Sequence, residues 1–233
     1  TSSAFGRPVL AIRPSCRTCT NLRSEFTTQD TRGVLHSLAP MLAVIGSVPD
    51  PEAEGEYAYE TLWNGLRVIA HLPGDGSMRL LSQVGWDVAA QYPELQALPL
   101  LLPGLEAVLD GEIITVDGRG QPVAEHLEQR MNLHQPTAIG HAVEDLPVQL
   151  VLYDILYLSE PTLRLPYITR RDLLDDLGLS SPHISVPAAW PAPAAQALQE
   201  TRLEGYDGVV AKRLTDQNPL RGGGGRRSEC RRL

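Results

Sequence analysis

The 233-residue chain is long enough to bury a substantial core as one large domain, or as one domain with tails. Its hydrophobic fraction of 42% is ordinary; it contains neither an apolar run of the ~18 residues a membrane span needs nor a secretory leader pattern, so a cytoplasmic protein with no membrane partner is expected. The total charge of −8 is uneven: residues 1–40 carry +3 and residues 221–233 carry +4, which leaves −15 for residues 41–220, the wrong sign for a surface that grips a phosphate backbone.

Residues 1–40 mix Thr, Ser, Arg, Pro and Gly with little periodicity and predict a flexible extension, with a short amphipathic piece near its end. Cys16 and Cys19 form a lone CxxC, and Cys230 makes an odd total with no disulfide framework spacing. Zinc needs four ligands and only His36 lies nearby, so no metal is expected there. Residues 47–55 contain two prolines and read as a loop. Residues 57–71 read as a short strand, a tight turn at Asn64-Gly65 and a second strand of alternating character, which predicts a hairpin. A strand over residues 79–84, closed by Gly85, follows. Val88, Tyr92, Leu95, Leu98 and Leu102 are spaced as helical turns, interrupted at Pro93 and Pro99.

Residues 107–117 form the clearest strand pattern, and residues 123–132 predict a helix with Val123, Leu127 and Met131 on one face and Arg130 beside it. Residues 148–158 are apolar except for Gln149 and Asp154, the profile of a central strand in which Asp154 needs a partner. Thr169 as N-cap, with Asp172 three residues on, opens a helix reaching residue 177, and a further helix spans residues 193–203. Residues 204–214 read as a turn feeding a strand. Strands outnumber helices and are joined mostly by hairpins, so the predicted class is α+β with antiparallel sheets. The predicted organisation is a flexible extension (1–40), a folded domain (41–220) and an Arg/Gly-rich tail (221–233). Lys212 is the only lysine, so a mechanism that needs a lysine amine has one candidate.

Four ordered segments carry the chemistry: Glu60-Thr-Leu-Trp-Asn-Gly-Leu-Arg67, Leu109-Asp-Gly-Glu112, Leu152-Tyr-Asp-Ile-Leu156 and Glu204-Gly-Tyr-Asp-Gly-Val-Val-Ala-Lys212. In this order and spacing they resemble the adenylation domain of ATP-dependent DNA ligases, particularly the bacterial end-joining type, whose first motif is Glu-x-Lys-Trp-Asp-Gly-x-Arg. Tyr92-Pro-Glu-Leu95 and Gln129-Arg-Met131 also match, and the likeness runs from about Met41 to Ser228. The resemblance implies a DNA ligase/mRNA-capping-type nucleotidyltransferase fold (ATP-grasp-like), α+β with helices packed on antiparallel sheets.

In that family a lysine amine attacks the α-phosphate of ATP, with Mg²⁺ offsetting charge, and AMP then passes to a DNA 5′-phosphate before the nick is sealed. The resemblance implies nucleotide-binding roles for Glu60 near the adenine, Arg67 at the nucleotide or DNA end, Glu112 at the ribose, Tyr153 stacked on adenine and Lys212 at the phosphates. Asp207 stands for a metal-associated glutamate and is one methylene shorter. Each residue also has an ordinary reading: Arg67 as a solvated strand residue, Tyr153 as core, Asp110 and Asp207 as turn residues. The departures are equally specific. Leu62 stands at the nucleophile position, Asn64 replaces the motif's aspartate, and Gln83-Val84 replaces an Arg-Asn pair. Beyond Arg226-Arg-Ser228 the family continues to two lysines and an OB-fold domain, which are expected to be absent.

The resulting expectation is an ATP-dependent DNA ligase family protein with ATP or AMP and, by resemblance, nicked DNA as partners, tied by descent to repair and recombination. No catalytic residue is intact, so impaired catalysis is expected. The alternatives are a non-catalytic ATP/AMP-binding module, the product of a decaying coding region, or a nucleic-acid binder driven by the arginines of residues 221–233.

Overall fold

In the computed structural model, which describes residues 44–191, 193–218 and 230–233, nine strands are divided between two sheets. The larger has the order β4 (Arg79–Ser82), β3 (Leu66–Pro73), β5 (Glu106–Thr115), β6 (Val148–Leu158), β7 (Ile184–Ser185) and is antiparallel except for the short β6/β7 pair. The smaller runs β1 (Val44–Ile45), β9 (Cys230–Arg232), β8 (Val209–Arg213), β2 (Tyr57–Thr61), with only β1/β9 parallel. Helices α1 (Ala97–Leu101), α2 (Ala124–Met131), α3 (Pro136–Asp145), α4 (Tyr167–Asp176) and α5 (Ala194–Leu203) lie between strands in the sequence. The class is α+β, as expected. The predicted extension and its CxxC pair lie outside the described residues, and residues 230–232 of the predicted tail supply strand β9.

The predicted hairpin is not formed. β2 pairs with β8 in the smaller sheet, whereas β3 pairs with β4 and β5 in the larger. Residues 62–65 are therefore a crossing between sheets rather than a two-residue turn. Two local features fix it: the Leu62 N–H donates to Gly208 O at 2.9 Å, and Asn64 adopts φ +53°, a left-handed conformation that Asn tolerates. Gly65 is required by packing, since a Cβ there would come within 2.4 Å of the Ile113 carbonyl oxygen. The Asn-Gly signal marked a sharp change of direction correctly but not its partner strand.

The main core forms on one face of the larger sheet, where Val68, Leu80, Leu109, Leu150 and Leu152 pack with Leu95 and Leu98 from the helical turns of residues 89–101. β6 joins that core in a broken rhythm: Leu150 and Leu152, then Ile155, then Leu158. The register explains it. Asp110 pairs with Asp154 but Gly111 with Leu152, and Val108 pairs with Tyr157 but Leu109 with Ile155, so Tyr153 and Leu156 are each an extra residue in the strand. Each bulge flips the side-chain alternation. Consecutive residues Tyr153 and Asp154 thereby both stay off the core face. A second, smaller cluster of Tyr57, Tyr59, Val209 and Ala211 is closed by Ala194 and Ala197 of α5.

Two helical expectations need correction. On α2 the buried residues are Leu127 and Arg130, while Met131 is 40% exposed. Arg130 is buried because Glu94 pairs with it at 2.6 Å and the carbonyls of Gln91, Ala142 and Leu146 accept from its two terminal nitrogens, leaving only Nε without a partner among the described residues. Ala142 and Leu146 belong to the C-terminal end of α3, where the helix dipole favours a cation. Helix α4 starts at Tyr167 rather than after Thr169, with Pro166 as N-cap. The carbonyls of Asp216 and Leu214 accept from the Tyr167 and Ile168 N–H groups, so the loop does the work of a capping side chain. Asp154 has the partner its burial demands: Arg170 of α4 clasps both its oxygens at 2.8 Å.

Candidate functional site

Five of the six residues assigned to nucleotide or metal binding by resemblance come together around the Tyr153 bulge. Arg67, on β3 opposite Glu112 of β5, grips Asp110 through two bonds of 2.6 Å each. Its guanidinium lies 4.7 Å from the Tyr153 ring centroid. Lys212, on β8, lies 4.6 Å from the same centroid and 5.1 Å from that of Tyr167. The Lys212 ammonium is bound by Glu60 Oε2 at 2.6 Å and donates to the Tyr153 carbonyl at 3.4 Å. Glu60 also accepts a short hydrogen bond from the Tyr167 hydroxyl and has Arg171 at 3.7 Å. Glu60, Asp110, Glu112, Tyr153 and Arg171 are all buried. The ordinary readings fail on two counts: Asp110 is a buried strand residue rather than a turn, and Arg67 is ion-paired rather than solvated.

The electrostatics follow from burial balanced against pairing. Burial works against the Arg67 charge, but the Asp110 carboxylate outweighs it and holds the guanidinium above its ordinary range. Burial pushes the Glu112 carboxyl up, with Arg67 opposing. Burial drives the Tyr153 and Tyr167 phenols well above their usual range, and Glu60 adds to the effect at Tyr167. The Tyr153 hydroxyl is buried with no hydrogen-bond partner among the described residues. Three cations (Arg67, Arg171, Lys212) face three carboxylates (Glu60, Asp110, Glu112), and Asp175 is a further carboxylate partner of Arg171 at 2.7 Å. Asp110, Tyr167 and Arg171 were not singled out as site residues by sequence. Asp110 sits inside the second motif, but Tyr167 and Arg171 come from α4, which lies outside all four.

The sixth residue, Asp207, lies elsewhere. With Leu62, Trp63, Asn64, Thr115 and Tyr206 it lines a cleft of about 170 Å³ next to the crossing. Asn64 Nδ2 donates to Asp207 Oδ2 at 2.7 Å, and the Trp63 and Tyr206 rings meet edge to face with centroids 4.8 Å apart. Leu62 is half-buried at the end of β2, its aliphatic side chain standing where the resemblance implies an amine. Gln83-Val84 form the turn after β4, with Val84 and Trp86 more than 70% exposed.

The donor set fits a nucleotide in part: a buried aromatic, two cations and a carboxylate opposite Arg67. It does not fit a metal held by protein alone. Among the described residues no group of three His, Cys, Asp or Glu side chains is arranged for a cation, and Asp207 is a single exposed carboxylate already bonded to Asn64.

Two packed sheets, with four motifs placed along β2, β5, β6 and β8, define a nucleotidyltransferase domain of the DNA ligase kind. Residues 40–219 match the model of the ATP dependent DNA ligase domain, and the chain belongs to that family. It is 35% identical over 178 residues to the multifunctional non-homologous end joining DNA repair protein LigD of Mycobacterium tuberculosis, covering 76% of this chain and 22% of that protein. The chain thus spans about a fifth of the length of that relative. The crystal structure of the ligase domain from M. tuberculosis LigD superposes with a TM-score of 0.68 at 32% identity, covering 84% of this chain and 60% of that one. A mycobacterial DNA ligase D complexed with ATP and MES gives the same values. The likeness supports the bacterial end-joining type of ligase adenylation domain.

Proposed function

We propose that this chain is a nucleotide-binding domain of a DNA-repair ligase that does not form the covalent lysyl adenylate. The observation that carries the proposal is the pairing of Leu62 with Lys212. The nucleophile position holds an alkyl group, and the chain's single lysine is bound by Glu60 at 2.6 Å on the neighbouring strand. The Lys212 side chain is engaged by Glu60 and the Tyr153 carbonyl rather than standing at the nucleophile position, which Leu62 occupies.

The residues present divide the work of holding ATP or AMP. Tyr153 offers a ring for stacking on adenine, Glu112 an acceptor for the ribose hydroxyls, and Lys212 and Arg67 positive charge for the phosphates. Because Glu60 and Asp110 already neutralise those cations, phosphate oxygens must exchange with the Glu60 carboxylate to reach Lys212. A Mg²⁺ ion would be carried by the nucleotide's phosphates and water, since Asp207 lies in the separate cleft and is bonded to Asn64. The mycobacterial ligase D complexed with ATP supports this choice of ligand. Nicked DNA is the corresponding macromolecular partner, and ATP and DNA as ligands go with a cytoplasmic location.

Isothermal calorimetry with ATP and AMP tests the nucleotide site. Binding in the submillimolar range is expected, weakened about 5- to 100-fold by Tyr153→Ala, the usual worth of base–aromatic stacking. Absence of heat at millimolar nucleotide overturns the proposal.

A further inference from the structure

Arg171 enters the Tyr153 cluster from α4, outside all four motifs, and its guanidinium is only partly used. Nε and Nη2 clasp the Asp175 carboxylate at 3.1 and 2.7 Å, and Nη2 also donates to the Pro187 carbonyl. The other terminal nitrogen, Nη1, is buried with no hydrogen-bond partner among the described residues. It lies 3.7 Å from Glu60 Oε1, beyond hydrogen-bonding distance but directly beside the carboxylate. Glu60 is held on both oxygens: Oε1 accepts from the Tyr167 hydroxyl, and Oε2 binds the Lys212 ammonium at 2.6 Å. A buried donor without an acceptor is costly. This one stands next to the carboxylate that holds the chain's only lysine.

A phosphate that takes Lys212 leaves the Glu60 carboxylate buried, with the Tyr167 phenol as its one remaining hydrogen-bond donor among the described residues. Stripping a buried ion of its partner is strongly unfavourable, so the release of Lys212 calls for a replacement cation. Arg67 is committed to Asp110 by two bonds of 2.6 Å. Arg171 is not so committed at Nη1. A shift of about 1 Å closes its gap to Glu60 to the length of an N–H···O bond, while Asp175 and Pro187 keep hold of the rest of the guanidinium. We infer that Arg171 is a positioning residue for phosphate binding, which takes over Glu60 when a nucleotide phosphate draws Lys212 away. One cation moves from carboxylate to phosphate and a second closes on the carboxylate, so no buried charge is stranded. Asp175, whose side chain is 51% exposed, competes with Glu60 for the same guanidinium and sets how readily the exchange occurs. The inference rests on the nucleotide reading of this site and supplies the step that lets the paired site open.

Isothermal calorimetry with ATP on the whole chain tests it through a double-mutant cycle. Arg171→Gln should weaken ATP binding about 5- to 20-fold in the otherwise unmodified chain. In the Glu60→Gln background Lys212 has no carboxylate to leave, and the same substitution should change affinity less than about twofold. Asp175→Asn, at an exposed position, frees Arg171 for Glu60 and should tighten ATP binding about 2- to 5-fold. Labelling with ¹⁵N-lysine gives one ammonium signal, because Lys212 is the only lysine, and saturating ATP should move it. ATP binding with that signal unmoved, an equal loss from Arg171→Gln in both backgrounds, or an unchanged affinity in Asp175→Asn would each overturn the exchange and leave the nucleotide reading standing. Absence of ATP heat in the unmodified chain overturns the nucleotide reading, and the exchange with it.

Discussion

The buried cluster around Tyr153 and the open cleft around Leu62 share a strand end yet obey different physics. In the cluster every charge has an opposite charge within hydrogen-bonding reach or is close to one, and nearly all of it is out of water. In the cleft a single carboxylate meets an amide, and solvent reaches both. A buried pair is costly to break, because removal of one partner strands the other in a medium that cannot solvate it. An exposed polar contact is worth a fraction of that. The motif residues inside the cluster are therefore held by folding stability as well as by any ligand, whereas those at the cleft are free to change. Leu62 and Asn64, the two departures in the first motif, both lie on the cleft side.

The largest expected effect follows from that contrast. Asp110→Ala leaves Arg67 buried without its partner and should cost about 3–5 kcal/mol in urea unfolding. A loss under 1 kcal/mol would break the distinction between the two regions. Next comes alkaline pH. Burial pushes the Tyr92 phenol up to about 12, with Arg130 opposing, and drives Tyr153 and Tyr167 up as well. Their neutral forms belong to the folded state, so this stability is intact below the unfolded value of about 10 and is lost as pH rises from there through about 12. Phenolate absorbance should appear together with loss of far-ultraviolet circular dichroism. Phenolate appearing near pH 10 with the fold intact would contradict the burial of these rings.

Glu60→Gln sharpens the comparison by separating two roles for one residue. If the carboxylate competes with phosphate for Lys212, its removal should tighten ATP binding about 3- to 10-fold in calorimetry. If Glu60 instead contacts the adenine, binding weakens. The smallest effect is expected at the cleft: Leu62→Ala removes a half-buried alkyl group and should cost about 1 kcal/mol in the same unfolding assay.

The parts of this arrangement that were legible in the sequence are those written in local patterns. The run of residues 148–158 announced a central strand, and the four motifs together named the family before any geometry was available. The hairpin over residues 57–71 was misread because Asn-Gly reports a backbone turn, not the partner of the strand that follows it; the β2/β8 pairing joins residues about 150 positions apart. The bulge at Tyr153 was hidden for a related reason. A strand buried on both faces shows no alternation for a bulge to interrupt. The burial of Arg130 and Arg171 was not legible because Glu94, Glu60 and the Pro187 carbonyl, which help hold them, are remote in sequence. Helix α3 escaped notice because only Ile139 and Ala142 of its residues are buried, too few to set a period.

The central claim is that this ligase-family site has kept its charged pocket and lost its nucleophile. Incubation of the purified chain with α-³²P-labelled ATP and Mg²⁺, followed by denaturing electrophoresis, tests it most directly. The account predicts nucleotide bound before denaturation and no label retained on the protein afterwards. An acid-labile covalent label on the unmodified chain, lost in Lys212→Arg, would contradict it.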